Sequence, residues 1–116
     1  MMGLSGRDPI FFAQLDTEST LHKKVVGQKN GAAFVQDTCL RCQCVMGQRQ
    51  FHIDNGDKAM FTRDILTSPT SQCGALARDG VSCTVCHQIA FNDPNDTSTY
   101  TGLFKVGPPS VLTGTL

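Results

Sequence analysis

Apolar positions along this chain come in short clusters, broken by polar stretches and by glycine and proline. The first cluster, Ile10, Phe11 and Leu15, follows Asp8-Pro9. An aspartate caps free helical N–H groups and proline suits the first helical position, so a helix is predicted to start at Pro9. It is expected to run to about Val26 and stop before Gly27, weakened by Thr17, Ser19 and Thr20. Gln28 to Gly31 reads as a turn, and Ala32-Ala33-Phe34-Val35 is ambiguous between strand and helix. Asp37-Thr38 offers a cap for a helical turn that holds Cys39, Leu40, Arg41 and Cys42.

Farther along, Asp54-Asn55-Gly56-Asp57 is a turn by composition. Asp57 is a cap for a helix through Ala59, Met60, Phe61, Ile65 and Leu66, which Ser68-Pro69 ends. Gly74 to Arg78 forms one helical turn closed near Gly80, and Cys83 follows at a helix start. The pattern then changes. Asn92 to Asp96 is a loop, and Thr97 to Val106, rich in Thr, Tyr, Phe and Val, predicts a strand or hairpin that Gly107-Pro108-Pro109 breaks. The expected fold is mostly α and irregular, with a short β element near the C-terminus.

Composition narrows the function. With 116 residues, one domain over 1–116 is the expectation. Ten basic and ten acidic residues leave no net charge, which argues against a nucleic-acid surface. No stretch is long enough to span a membrane. Eleven glycines and no tryptophan imply a thin core, which a buried cofactor, a metal or disulfides would reinforce. Six cysteines are too many for an ordinary cytosolic chain. Four of them stand as two CxxC pairs, Cys39/Cys42 and Cys83/Cys86, a spacing that favours a bound cofactor or metal over loop-closing disulfides. Cys44 and Cys73 are left over, with no role assigned.

Cys83-Thr84-Val85-Cys86-His87 is the attachment pattern of c-type haem. The two thiols add across the porphyrin vinyl groups, and the adjacent histidine supplies the proximal iron ligand. The chain has three histidines, and one of them stands here. Such haem is attached outside the bacterial cytoplasm. The start, Met1 to Arg7, lacks the form of a signal peptide, so the expectation is a piece of a larger exported protein, periplasmic or extracellular.

Cys39-Leu40-Arg41-Cys42-Gln43 repeats the pattern with glutamine where histidine belongs. Three accounts stay open: a haem on Cys39 and Cys42 ligated by a histidine from elsewhere, a decayed site without haem, or an altered residue at Gln43. The rival to haem joins both pairs as four thiolates around zinc, in a metal-stabilised interaction module, although the intervening segment is long for a compact ribbon. His52, between Phe51 and Ile53, and His22, before two lysines, are candidate distal ligands. Met46 and Met60 are candidate sulfur ligands, more commonly core filler. Arg41, Arg78 and Asp79 lie near the sites in sequence and are candidates for contact with haem propionates.

Gly74 to Ile89, with Gly80-Val81-Ser82 before the motif, resembles the multihaem c-type cytochromes of bacteria. Gly6-Arg7-Asp8-Pro9-Ile10-Phe11-Phe12, Cys39-Leu40-Arg41-Cys42 with Met46-Gly47, and Thr101-Gly102-Leu103-Phe104 resemble further segments of such proteins. The resemblance implies a small, haem-organised cytochrome domain in which Cys83 and Cys86 are thioether cysteines and His87 is a proximal ligand. Cys39 and Cys42 carry over as thioether cysteines, with Gln43 departing from the pattern. It implies electron transfer to redox partner proteins or neighbouring haem domains, an electron carrier rather than an enzyme. A catalytic multihaem reductase domain is the further alternative.

Overall fold

The computed structural model describes residues 2–23, 29–90, 93, 95 and 97–107, and it is mostly helical. The chain divides into two compact units, Met1–Val81 and Ser82–Leu116. In the first, a 3-10 segment (Met2–Arg7) precedes α1 (Pro9–Leu21), α2 (Gly31–Gln43), α3 (Val45–Asn55), α4 (Arg63–Thr67) and α5 (Gln72–Arg78). The second holds α6 (Cys83–His87) and a 3-10 turn (Thr97–Thr99).

Helix α1 starts as its sequence predicts, with the Asp8 carboxylate accepting from Ile10 N at 2.9 Å and Pro9 at the first position. Its apolar face is rotated from the expected one. Ile10 is 80% exposed, whereas Leu15 and Ser19 are buried and Phe11 and Phe12 pack on the core. The helix ends at Leu21 rather than about Val26. Thr17, Ser19 and Thr20 each turn a hydroxyl back to the carbonyl four residues earlier, the local competition that weakens helices. Of the predicted end, 24–28 lie outside the described residues.

Asn30, not Asp37, caps α2: its side chain accepts from Ala33 N at 3.1 Å, and the helix runs unbroken through the ambiguous Ala32–Val35 and the first CxxC. Ala33, Asp37, Leu40 and Cys44 recur at helical spacing and are all buried. Asp37 therefore points inward, and its oxygens are taken by tertiary partners. Replacing the exposed Asn30 with Ala is expected to lower stability by about 1 kcal/mol, read as a lower urea midpoint with unchanged slope. An unchanged midpoint would show that the cap contributes nothing.

The segment 57–62 is not helical, contrary to the predicted Asp57 cap. Two side chains of α2 take backbone donors here: Phe61 N of the segment donates to Asp37 Oδ1 at 2.8 Å, and Arg63 N, at the start of α4, donates to Gln36 Oε1 at 2.9 Å. Only α4 remains, stopped at Ser68 before Pro69 as expected. Arg63 lies 5.0 Å over the Phe12 ring and pairs with Asp16, which ties α4 to α1. Helix α3, absent from the predicted elements, packs on α5, and α5 also meets α4 and the N-terminal 3-10 segment. Helix α5 begins earlier than predicted, where Ser71 Oγ accepts from Gly74 N at 2.9 Å. The core is Leu15, Leu40, Cys44, Phe61, Leu66 and Ala77.

The β element expected over Thr97–Val106 does not form: there is no strand among the described residues. The Ser98 carbonyl accepts from Thr101 N and Leu103 N, the Thr101 hydroxyl turns back to the same oxygen, and Gly102 at φ 73° reverses the chain. Hydroxyl residues counted as β-formers satisfy a local turn instead. What pairs is one antiparallel bridge, Ile89 with Val106, flanked by Ala90 N to Lys105 O and Gly107 N to Gln88 O, each 2.8 Å.

Candidate functional site

The haem-attachment motif is a single helical turn, α6, which begins at Cys83. Cys83, Cys86 and His87 stand at i, i+3 and i+4, and residues so spaced share one helix face. Both thiols are exposed and His87 is half-buried. Of the described residues of the unit Ser82–Leu116, Phe104 alone is buried, while Tyr100, Leu103 and Val106 are 72%, 48% and 38% exposed. Two accessible thiols and an imidazole on one face, in a unit with apolar side chains at its surface, form a donor set that fits a covalently held haem.

The other pair sits on the last turns of α2. Cys42 is exposed and Cys39 is half-buried against the core. Burial, and after it the charges of Glu18 and Cys42, push the Cys39 thiol above its ordinary pKa, so it is kept protonated at neutral pH. Cys39 lines a groove of about 300 Å³ with Glu18, His22, Phe34, Val35 and Thr38. The structure thus brings His22 and Cys39 together between α1 and α2. Gln43, which follows Cys42, lines a different cavity of about 570 Å³ with Met2, Leu4 and Arg7, while its backbone carbonyl accepts from Ser5 Oγ at 2.7 Å.

The two histidines of this unit are held differently. His22 is exposed, and its Nδ1 lies 3.0 Å from the Glu18 carbonyl oxygen and 3.3 Å from the Glu18 carboxylate. His52 is 10% exposed at its side chain and places Nε2 2.7 Å from Asp37 Oδ1. It does not line the groove that holds His22. The same Oδ1 accepts from Gln48 Nε2 at 3.2 Å, and Arg41 Nη2 stands 3.8 Å from Oδ2. Asp37 thus joins α2, α3 and the 57–62 segment. Its place in the buried 33–37–40–44 spacing was the signal available in the sequence, hidden by reading Asp37-Thr38 as a cap.

The arginines considered for propionates have protein partners. Arg41 pairs with Asp37, and Arg78 Nη1 donates to the carbonyls of Leu66 and Ser68. All six cysteines are free thiols. Burial pushes the Cys44 thiol up to about 12, and Cys73 is raised by burial and by Asp54, which its sulfur meets at 3.8 Å. Cys44 is a core side chain and Cys73 packs against the cluster that contains it. Among the described residues no three His, Cys, Asp or Glu side chains gather as a metal-binding group, and no helix is long and apolar enough to cross a membrane. Compared with known proteins, the chain matches no family model, no curated protein and no solved structure.

Proposed function

We propose that this chain is an electron-transfer module that carries c-type haem on Cys83 and Cys86, with His87 as iron ligand. The observation that carries this reading is α6, which sets the two exposed thiols and the imidazole on one face of a single turn. In attachment, each thiol adds across a vinyl double bond: sulfur bonds one carbon, the sulfhydryl hydrogen goes to the other, and no electron is gained or lost. Bound haem supplies a one-electron iron couple whose potential follows the axial ligands, burial and nearby hydrogen bonds. The chain's part would be to hold the ring edge through thioethers at Cys83 and Cys86 and to present His87 to the iron. Because such attachment occurs outside the bacterial cytoplasm, the reading implies an exported chain that exchanges electrons with redox proteins or neighbouring haem domains.

The test is expression with the haem-attachment machinery. The reduced-minus-oxidised spectrum is expected to show sharp c-type bands, and mass after denaturation to include covalent haem. The double variant Cys83→Ser/Cys86→Ser is expected to lose one haem by mass. A colourless wild-type protein of unmodified mass would sink the proposal.

A further inference from the structure

We infer that Cys39 and Cys42 are a redox-active dithiol, which small-molecule disulfides oxidise to a disulfide closed within the last turn of α2. The inference goes beyond the proposed function and uses neither its haem nor its iron ligand. Three observations converge on it. The two cysteines stand at i and i+3 near the end of α2, and both are free thiols. The charge of Cys42 is among the causes that push the Cys39 thiol up, so the two sulfurs lie within electrostatic reach of each other. They differ in access, Cys42 being exposed and Cys39 half-buried against the core.

Residues i and i+3 of an α-helix hold their Cβ atoms about 5–6 Å apart. A disulfide needs about 3.5–4.5 Å, so closure requires the turn to tighten. A 3-10 turn does this, because it eclipses the side chains at i and i+3, and such turns are frequent at helix C-termini. Helix α2 ends at Gln43, one residue past Cys42, and its cap Cys44 has already left helical geometry at φ −127° and ψ 39°. The tightening therefore falls where α2 terminates rather than in its middle. Gln43 lines another cavity, so no imidazole follows this pair as His87 follows Cys86.

Oxidation proceeds in two balanced steps. The Cys42 thiolate attacks one sulfur of a small-molecule disulfide such as oxidised glutathione, forms a mixed disulfide and expels one thiolate. Cys39 then gives up its proton, its sulfur attacks the Cys42 sulfur, and the second thiolate leaves. The two cysteines lose two electrons and two protons, and the incoming disulfide becomes two thiols. Access and charge set the order: Cys42 is open to attack, while burial and the charge of Glu18 keep Cys39 protonated until the second step.

The experiment equilibrates the full chain in a buffer of oxidised and reduced glutathione, then alkylates it and digests it with trypsin. Arg41 lies between the two cysteines, so cleavage after it leaves their peptides joined only through sulfur. Wild type is expected to give a joined pair that reduction separates. Cys42→Ser is expected to give none, which distinguishes Cys42 from Cys44 on the same peptide. Cys39→Ser is expected to accumulate glutathione on Cys42, because the mixed disulfide has lost its resolving thiol, and far-UV circular dichroism checks that both variants fold. Separate, fully alkylated peptides from the wild type would overturn the inference, as would a joined pair that persists in Cys42→Ser. A haem bound by thioethers to both Cys39 and Cys42, in protein made with the attachment machinery, would overturn it too and leave the proposed function standing.

Discussion

Asp37→Ala is expected to cost about 3–5 kcal/mol of unfolding free energy, a large fraction of the ~5–15 kcal/mol that a folded domain holds in reserve. The carboxylate is 5% exposed at its side chain, and one of its oxygens receives three donors: His52 Nε2, Gln48 Nε2 and Phe61 N. Gln48 and Phe61 are 1% and 0% exposed, so water does not replace the lost acceptor. Each buried donor left without a partner costs about 1–3 kcal/mol, and Arg41 loses its counter-charge in the same step. Asp37→Asn keeps an acceptor oxygen and gives up the charge, so it is expected to cost less than half as much. Urea unfolding followed by circular dichroism distinguishes these outcomes. Equal midpoints for wild type and Asp37→Ala would mean that the carboxylate does not hold α2, α3 and the 57–62 segment together.

Gly47→Ala is the second large effect, and two opposing terms decide its sign. Alanine is preferred to glycine within a helix by about 1 kcal/mol. Against this, a Cβ at Gly47 would lie 2.6 Å from Ala77 N and closer still to the Cys73 carbonyl oxygen and the Ala77 side chain. Overpacking costs about 1–3 kcal/mol where side chains yield, and here part of the obstacle is the backbone of α5. The helices α3 and α5 must move apart, and a net loss of about 2 kcal/mol is expected. A partner change Ala77→Gly removes only one of the three contacts, so it should restore little. Stabilisation of the single variant in thermal melts would refute the close approach.

These two positions also show where sequence reasoning stops. Asp8-Pro9, Ser68-Pro69 and the closing turn near Gly80 were legible because capping and chain termination depend on residues within a turn of one another. The two CxxC pairs were legible for the same reason: i, i+3 spacing on a helix is local. Asp37 has the chemistry of a cap, yet Asn30 performs that task and Asp37 lies on the buried face. Nothing within four residues of it announces Gln48, His52 or Phe61 as partners. The same long-range bonds dissolve the helix predicted from Asp57, because Asp37 and Gln36 take the donors of Phe61 and Arg63. The predicted C-terminal strand failed for a local reason, since the hydroxyl residues there close turns as readily as they fill strands.

The site divides along the same line. The order Cys83, Cys86, His87 on one turn follows from the sequence alone, because helix geometry places i, i+3 and i+4 together. The pairing of His22 with Cys39 in one groove, and the separate commitment of His52 to Asp37, were decided by the packing of α1 and α3 against α2. The neighbour of His52 is set by a residue distant in the chain, whereas His22 meets Glu18 only four residues earlier. Composition and spacing name the groups that are able to act, while tertiary packing decides which of them meet.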